Sequence, residues 1–331
     1  MAQATPAGST HPRGRAASPS ISLNAAIVAA TADEPRVLTI RFDHRAGEGL
    51  PSGPLEAEHR TLEIGLRAWV ERQTSQNLGY VEQLYTFGDR DRMAGDAAQS
   101  VRALTVAYLA LVREARPSGS ADAVWQSWYR YFPWEDWRAG RPAPLRPIAE
   151  RLDHWSAGAG DPERRLREER IALAFATGAA GWNEELALER YELLYEAGLV
   201  AEAVRDLGRT MPPDGDASGM PMAFDHRRIL ATAIGRLRGK IKYRPVVFEL
   251  MPPAFTLLQL QRTVEALSGV RLHKQNFRRL VEQQGLVEET GEISAATGGR
   301  PARLVRFRRE VLLERPAPGL RLRAGRRAAG G

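Results

Sequence analysis

The chain has 331 residues, no cysteine, and 47 lysines and arginines against 40 acids, for a net charge of +7. Disulfides and thiolate metal sites are thereby excluded, which suits a reducing compartment, and no apolar run approaches the ~18 residues of a membrane span. The charge is uneven: residues 226–331 hold 22 Lys/Arg and 8 Asp/Glu, net +14, leaving −7 for residues 1–225, so a polyanionic partner is expected for one part of the molecule only.

Residues 1–20 lack the apolar core of a signal peptide and read as a disordered tail, with a cytoplasmic location expected. Two β-branched runs, "ISLNAAIVAA" (21–30) and "RVLTIRF" (36–42), read as strands. The Gly/Pro-rich loop after them leads into an amphipathic helix in which Leu62, Leu66, Trp69 and Val70 mark a buried stripe. "YVEQLYTF" and "SVRALTVAYLALV" follow as strands, giving an α+β pattern around a mixed sheet.

Residues 113–224 change character and are expected to elaborate this first domain (21–224). Four tryptophans, two tyrosines and a phenylalanine crowd "WQSWYRYFPWEDWRAGRPAP". Trp125, Trp128, Tyr129, Tyr131, Phe132, Trp134 and Trp137 could pack locally, stack on an adenine or form a dimer surface. A charged helix, "DPERRLREERIALAF", and a helix or helix pair within 182–208 come next. A linker helix spans 225–242, with Asp225 as its cap.

From residue 243 to 312 the order is helix ("PVVFEL"), helix (from Thr256, ended by Gly269), helix ("HKQNFRRLVEQQG") and two strands bracketing a basic loop. That is the winged helix-turn-helix order; residues 313–331 read as a basic disordered tail. With Phe277, Leu280 and Val281 inward, Lys274, Gln275, Asn276, Arg278 and Arg279 are free to meet base edges. Arg and Lys suit guanine, and Asn and Gln suit adenine. Arg300 and Arg303 beside Gly298–Gly299 form the wing. Lys242, Arg244, Thr256 and Arg271 are placed for backbone contacts, which position without reading sequence. The six histidines form no H-x3-H pair, and there is no P-loop, G-x-S-x-G or G-x-G-x-x-G.

Residues 53–75 resemble the Nudix box, G-x5-E-x7-R-E-U-x-E-E-x-G-U, in which helix carboxylates hold Mg2+ against a diphosphate. Gly53 and Arg67 match, Glu71 is retained, and His59, Ala68 and Arg72 stand at acid positions, with Glu58 one place off and Thr74 at the closing glycine. An arginine where a dication should bind is electrostatically unfavourable. Together with "DHRRILATAIGRLRGKIKY", "FELMPPAFTLLQLQ", "KQNFRR" and "GRPARLVRF", the chain resembles the Nudix-related transcriptional regulators of NAD metabolism (NrtR type) over residues 21–112 and 225–310.

The resemblance implies a Nudix-like α/β/α sandwich with a helical insertion, followed by the winged domain. It further implies a homodimer on a palindromic operator of double-stranded DNA, with ADP-ribose or a related NAD-derived nucleotide as the effector that relieves repression. Ligand contacts are then expected from Arg41, Gly53, Arg67 and Glu71, although Arg67 could equally pair with Glu63 or Glu71. No catalytic residue and no cofactor is expected, Mg2+ included. The alternatives are an active pyrophosphohydrolase on ADP-ribose-like substrates carrying a DNA-binding appendage, and a constitutive DNA binder with a dead sensor. Coupling is expected through a change in the relative arrangement of sensor and winged domains.

Overall fold

The computed structural model describes residues 20–42, 47–88, 103–113, 122–177, 181–208, 218–294, 301–314 and 319–320. The wing loop with Gly298, Gly299 and Arg300 lies outside them, as do residues 1–19 and 321–331.

One seven-stranded sheet organises the first domain. Strand β1 (Ser20–Ala30) runs parallel to β6 (Ala103–Leu111) along one edge. Its other edge is shared by β4 (Ser52–Pro54) and β2 (Pro35–Arg41), both antiparallel. Beyond β2 lie β3 (Glu48–Gly49) and β7 (Ala123–Ser127), and β5 (Tyr80–Phe87) closes the far side against β6. Both faces of β1 are buried because residues point alternately to two different cores. Leu23, Ala25, Ile27 and Ala29 meet Leu66 and Val70 of helix α1 (Leu62–Thr74). Ala26 and Val28 belong to a larger core on the opposite face.

That second core holds α2 (Leu145–Ala157), α3 (Asp161–Phe175), α4 (Ala187–Glu196), α5 (Ala201–Leu207) and the connecting helix α6 (His226–Tyr243). Asp225 precedes α6 but does not cap it with its side chain, which meets Arg228 at 3.2 Å instead. The aromatic stretch is central rather than added on. Trp125 pairs with Leu38 inside β7, and Trp128, Tyr131, Phe132 and Trp134 are fully buried in and between two 3-10 turns, Trp128–Arg130 and Pro133–Glu135. Local packing is therefore their role here.

A 3-10 turn at Val246–Leu250 stands where the first winged-domain helix is expected. It is followed by α7 (Leu257–Ser268), α8 (Lys274–Gln283), and the antiparallel pair β8 (Val287–Ser294) and β9 (Ala302–Phe307). α7 starts with a full capping box: the Thr256 hydroxyl accepts from the Gln259 N–H, and the Gln259 side chain accepts from the Thr256 N–H. Part of the expected C-terminal tail is ordered. Val311–Glu314 form a short helix, α9, and buried Leu320 donates its N–H to the Ile241 carbonyl at 3.1 Å.

Candidate ligand pocket and nucleic-acid interface

Helix α1 is capped by Thr61, whose hydroxyl accepts from the Ile64 N–H. Arg67 donates to Glu63 at 2.9 Å and to the carbonyls of Leu78 and Gly79, so it ties the helix to the start of β5. Its guanidinium is engaged by this chain. Trp69 lies across Gly53: a Cβ there would stand 2.1 Å from the indole, whose Nε1 donates to the Pro54 carbonyl at 2.8 Å. Arg72 covers the outer face of the same ring at 4.1 Å and pairs with Glu56, which also meets His59. Glu71 is exposed. The box thus carries, at Arg72, a cation stacked on Trp69 where the motif would place an acid, and Gly53 serves close packing. Gly53→Ala is expected to lower stability by about 1–3 kcal/mol through overpacking, read as a drop in thermal midpoint; an unchanged midpoint would contradict this account of the glycine.

The pocket lies on the other face of the sheet. A cavity of about 280 Å³ is lined by Ser22, Asn24, Ser52 and Thr105 from the strands, by Phe42, Phe87 and Phe224, and by Asp225, His226 and Ile229 at the start of α6. Arg41, Gly53, Arg67 and Glu71 are not among these residues. Three aromatic rings with a few polar groups, of which only Asp225 is an acid and is paired with Arg228, suit an aromatic base and a sugar.

His226 organises the wall. The Leu50 N–H donates to its Nδ1 at 3.0 Å, so the neutral ring carries its hydrogen on Nε2. That atom sits 2.6 Å from the Asn24 amide, which must then offer its oxygen, while the other end of the amide meets the Ser22 hydroxyl at 3.1 Å. Burial, reinforced by the charge of Arg205, pushes the imidazole down to about 3. The imidazole is therefore neutral, with a fixed tautomer. Asn24 and His226 are 202 residues apart in sequence, which is why no local motif announces the pocket; a histidine opening a long helix was the one available cue.

In the winged domain, α8 buries Phe277 and Val281 and exposes Lys274, Gln275, Asn276, Arg278 and Arg279. Among the described residues, Arg279 reaches only Asn276, at 3.4 Å. Lys274 and Arg278 have no ion-pair partner among the described residues. Arg244 is exposed, and so are Arg262 and Arg309, two cations that sequence reasoning passed over. Other expected contacts are committed elsewhere. Lys242 is held by Glu184 and Glu185 and faces the first domain. Arg271 pairs with Glu265 at 2.8 Å, and Arg303 with Glu289 at 2.6 Å. Thr256 is buried and its hydroxyl is spent on the capping box. Lys242 and Thr256 are thus withdrawn from the DNA face.

Residues 247–307 match the family profile of the NrtR DNA-binding winged helix domain. An ADPR responsive transcriptional repressor NtrR of Acinetobacter baylyi is 44% identical over 88 residues, which span 27% of this chain and 35% of that protein. Shewanella oneidensis NrtR complexed with a 27mer DNA has a similar fold, with a TM-score of 0.53 at 21% identity over 88% of this chain and 94% of that one. A MutT/nudix family protein from Enterococcus faecalis gives 0.50 at 17% identity over 92% and 90%. The chain therefore has the fold of NrtR, a Nudix-like domain leading into a winged helix, and its residues 247–307 match the NrtR DNA-binding winged helix domain.

Proposed function

We propose that this protein is a nucleotide-responsive transcriptional repressor of NAD biosynthesis or salvage genes. Its winged helix grips a palindromic operator as a homodimer, and ADP-ribose or a related NAD-derived nucleotide in the first domain controls that grip. The observation that carries the reading is α8, a helix of the matched family whose first turns expose Lys274, Gln275, Asn276, Arg278 and Arg279, with Glu282 the one exposed acid near its end. The DNA complex of the Shewanella protein and the effector named for the Acinetobacter repressor support it.

The pocket beside α6 is the effector site in this reading. A ligand there touches β1, β4 and His226 together, and His226 is the first residue of the helix that runs to the winged domain. The first domain binds without hydrolysis: Arg72, stacked on the Trp69 ring and paired with Glu56, puts a cation at a position where an acid would be needed to hold a dication. Location in the cytoplasm follows from a DNA partner.

The test is a titration of ADP-ribose, NAD and nicotinamide mononucleotide into the protein–operator complex, with the operator found by in vitro selection. One of them is expected to release DNA at micromolar to millimolar concentration without formation of AMP, and operator DNA should weaken its binding by the same factor. No release by any of the three would leave a constitutive binder, and AMP formation that requires Mg2+ and Glu71 would restore the enzyme.

A further inference from the structure

None of the residues 128–137 lines the pocket or the α8 face, yet this segment contains a fully buried carboxylate, Glu135. Arg190 of α4 donates to both its oxygens, at 2.5 and 3.0 Å, and Arg238 of α6 donates to one of them. Burial alone would push the Glu135 carboxyl up, but the two guanidiniums outweigh it and hold it below the ordinary carboxylate range. Arg238 reaches further. Its Nε donates to the Leu267 carbonyl at 2.9 Å, and its Nη1 to the Glu184 carbonyl at 2.9 Å.

Leu267 lies in the last turn of α7, where carbonyls have no partner within the helix. Its neighbours are met by the same aromatic segment. The Tyr129 hydroxyl donates to the Ala266 carbonyl at 2.6 Å, and the Trp137 N–H to the Gly269 carbonyl at 2.7 Å. Gly269 has φ +74°, and a Cβ on it would stand 2.3 Å from the Glu135 carbonyl oxygen, so α7 can end against this segment only on a glycine. A second anchor lies at the other end of α6, where buried Arg227 donates to the Tyr131 carbonyl at 2.5 Å and pairs with Glu202 at 3.2 Å. The aromatic segment therefore holds α6 near both its ends and caps the helix that precedes α8.

We propose that Tyr129, Glu135 and Arg238 are positioning residues that seat the recognition module, so that the sheet domain, α6 and the α7–α8 pair form one body. The winged domain then does not swing on its linker, and the coupling expected from sequence, a change in the arrangement of the two domains within one chain, is replaced by movement of whole chains relative to each other. The role of such movement rests on the regulatory reading above; the seat itself does not.

The chain has no cysteine, so Asp153→Cys on α2 and Glu282→Cys on α8, both exposed positions, give two clean spin labels. The full-length doubly labelled protein is diluted with unlabelled chain and the intramolecular distance is read by pulsed electron resonance. One narrow distribution is expected, unchanged by ADP-ribose or by operator DNA. Arg238→Met, which leaves the Arg190–Glu135 pair in place, is expected to broaden the distribution or shift it by several ångströms. Should that variant fail to fold, Tyr129→Phe removes a single cap and is expected to broaden it less. A broad distribution in the parent, a shift of several ångströms on adding either ligand, or a Tyr129→Phe trace superimposable on the parent overturns the proposal. Failure of ADP-ribose, NAD and nicotinamide mononucleotide to release operator DNA from the same preparation removes the nucleotide reading and leaves the seat standing.

Discussion

Alanine at Lys274 or at Arg278 is expected to weaken operator binding about 5- to 150-fold each, the range for losing one good base contact worth ~1–3 kcal/mol. Phe277 and Val281 are the buried residues of α8, so the helix is fixed to the domain by positions that these substitutions leave untouched. Neither cation has an ion-pair partner among the described residues, and truncation therefore strands no acid; circular dichroism and the thermal midpoint should stay unchanged. Arg244→Ala provides the contrast. As a backbone contact it should weaken binding to all duplexes alike and lower the salt slope by about one. Fluorescence anisotropy over a salt series separates the two behaviours. If Lys274→Ala and Arg278→Ala both bind as the parent does, α8 is not the reading helix.

Acid is expected to loosen the protein through His226. Its imidazole is held at about 3 in the fold, against about 6.5 in an unfolded chain. Between those values the unfolded state binds the extra proton and the native state does not, so stability is full above pH 6.5 and falls as pH drops towards 3. The difference amounts to roughly 4–5 kcal/mol over the window, an order-of-magnitude figure at 1.36 kcal/mol per unit. Urea denaturation of the parent and of His226→Gln at intervals from pH 7.5 to 4 measures it. The parent should lose stability more steeply below pH 6.5, although the variant, lacking one of two hydrogen bonds in the pocket wall, starts lower at pH 7.5. Parallel curves for the two proteins would show that His226 is not the titrating group.

Elements with local signals were legible. Thr256 and Gln259 are three residues apart and close the capping box by themselves, and Gly269 marks the end of the same helix. The order of α7, α8, β8 and β9 follows from periodicity and turn residues in the same way. Strand β7 was hidden because its residues "AVWQS" merge into an aromatic stretch without a turn signal, and α2 because it opens among prolines, with Pro144 at its cap.

The candidate sites were only partly legible, for a different reason. A motif draws attention to its own helix, but Arg67 is satisfied by Glu63 and two carbonyls, while the pocket is assembled from β1, β4, β5, β6 and α6. Counting basic residues likewise says nothing about which of them are already paired. Lys242 and Arg271 belong to the same positive segment as Lys274, yet each has its acid. Only packing reveals which cations remain available.

Anyone wishing to transplant the DNA-reading half onto a foreign sensor would be tempted to cut near residue 243, where α6 ends. Such a chimaera would leave the Ala266, Leu267 and Gly269 carbonyls facing groups that no longer exist, since their donors come from Tyr129, Arg238 and Trp137. The workable module includes the aromatic turns together with the long helix, so the seam between the exchangeable parts falls more than a hundred residues upstream of the point that chain order suggests.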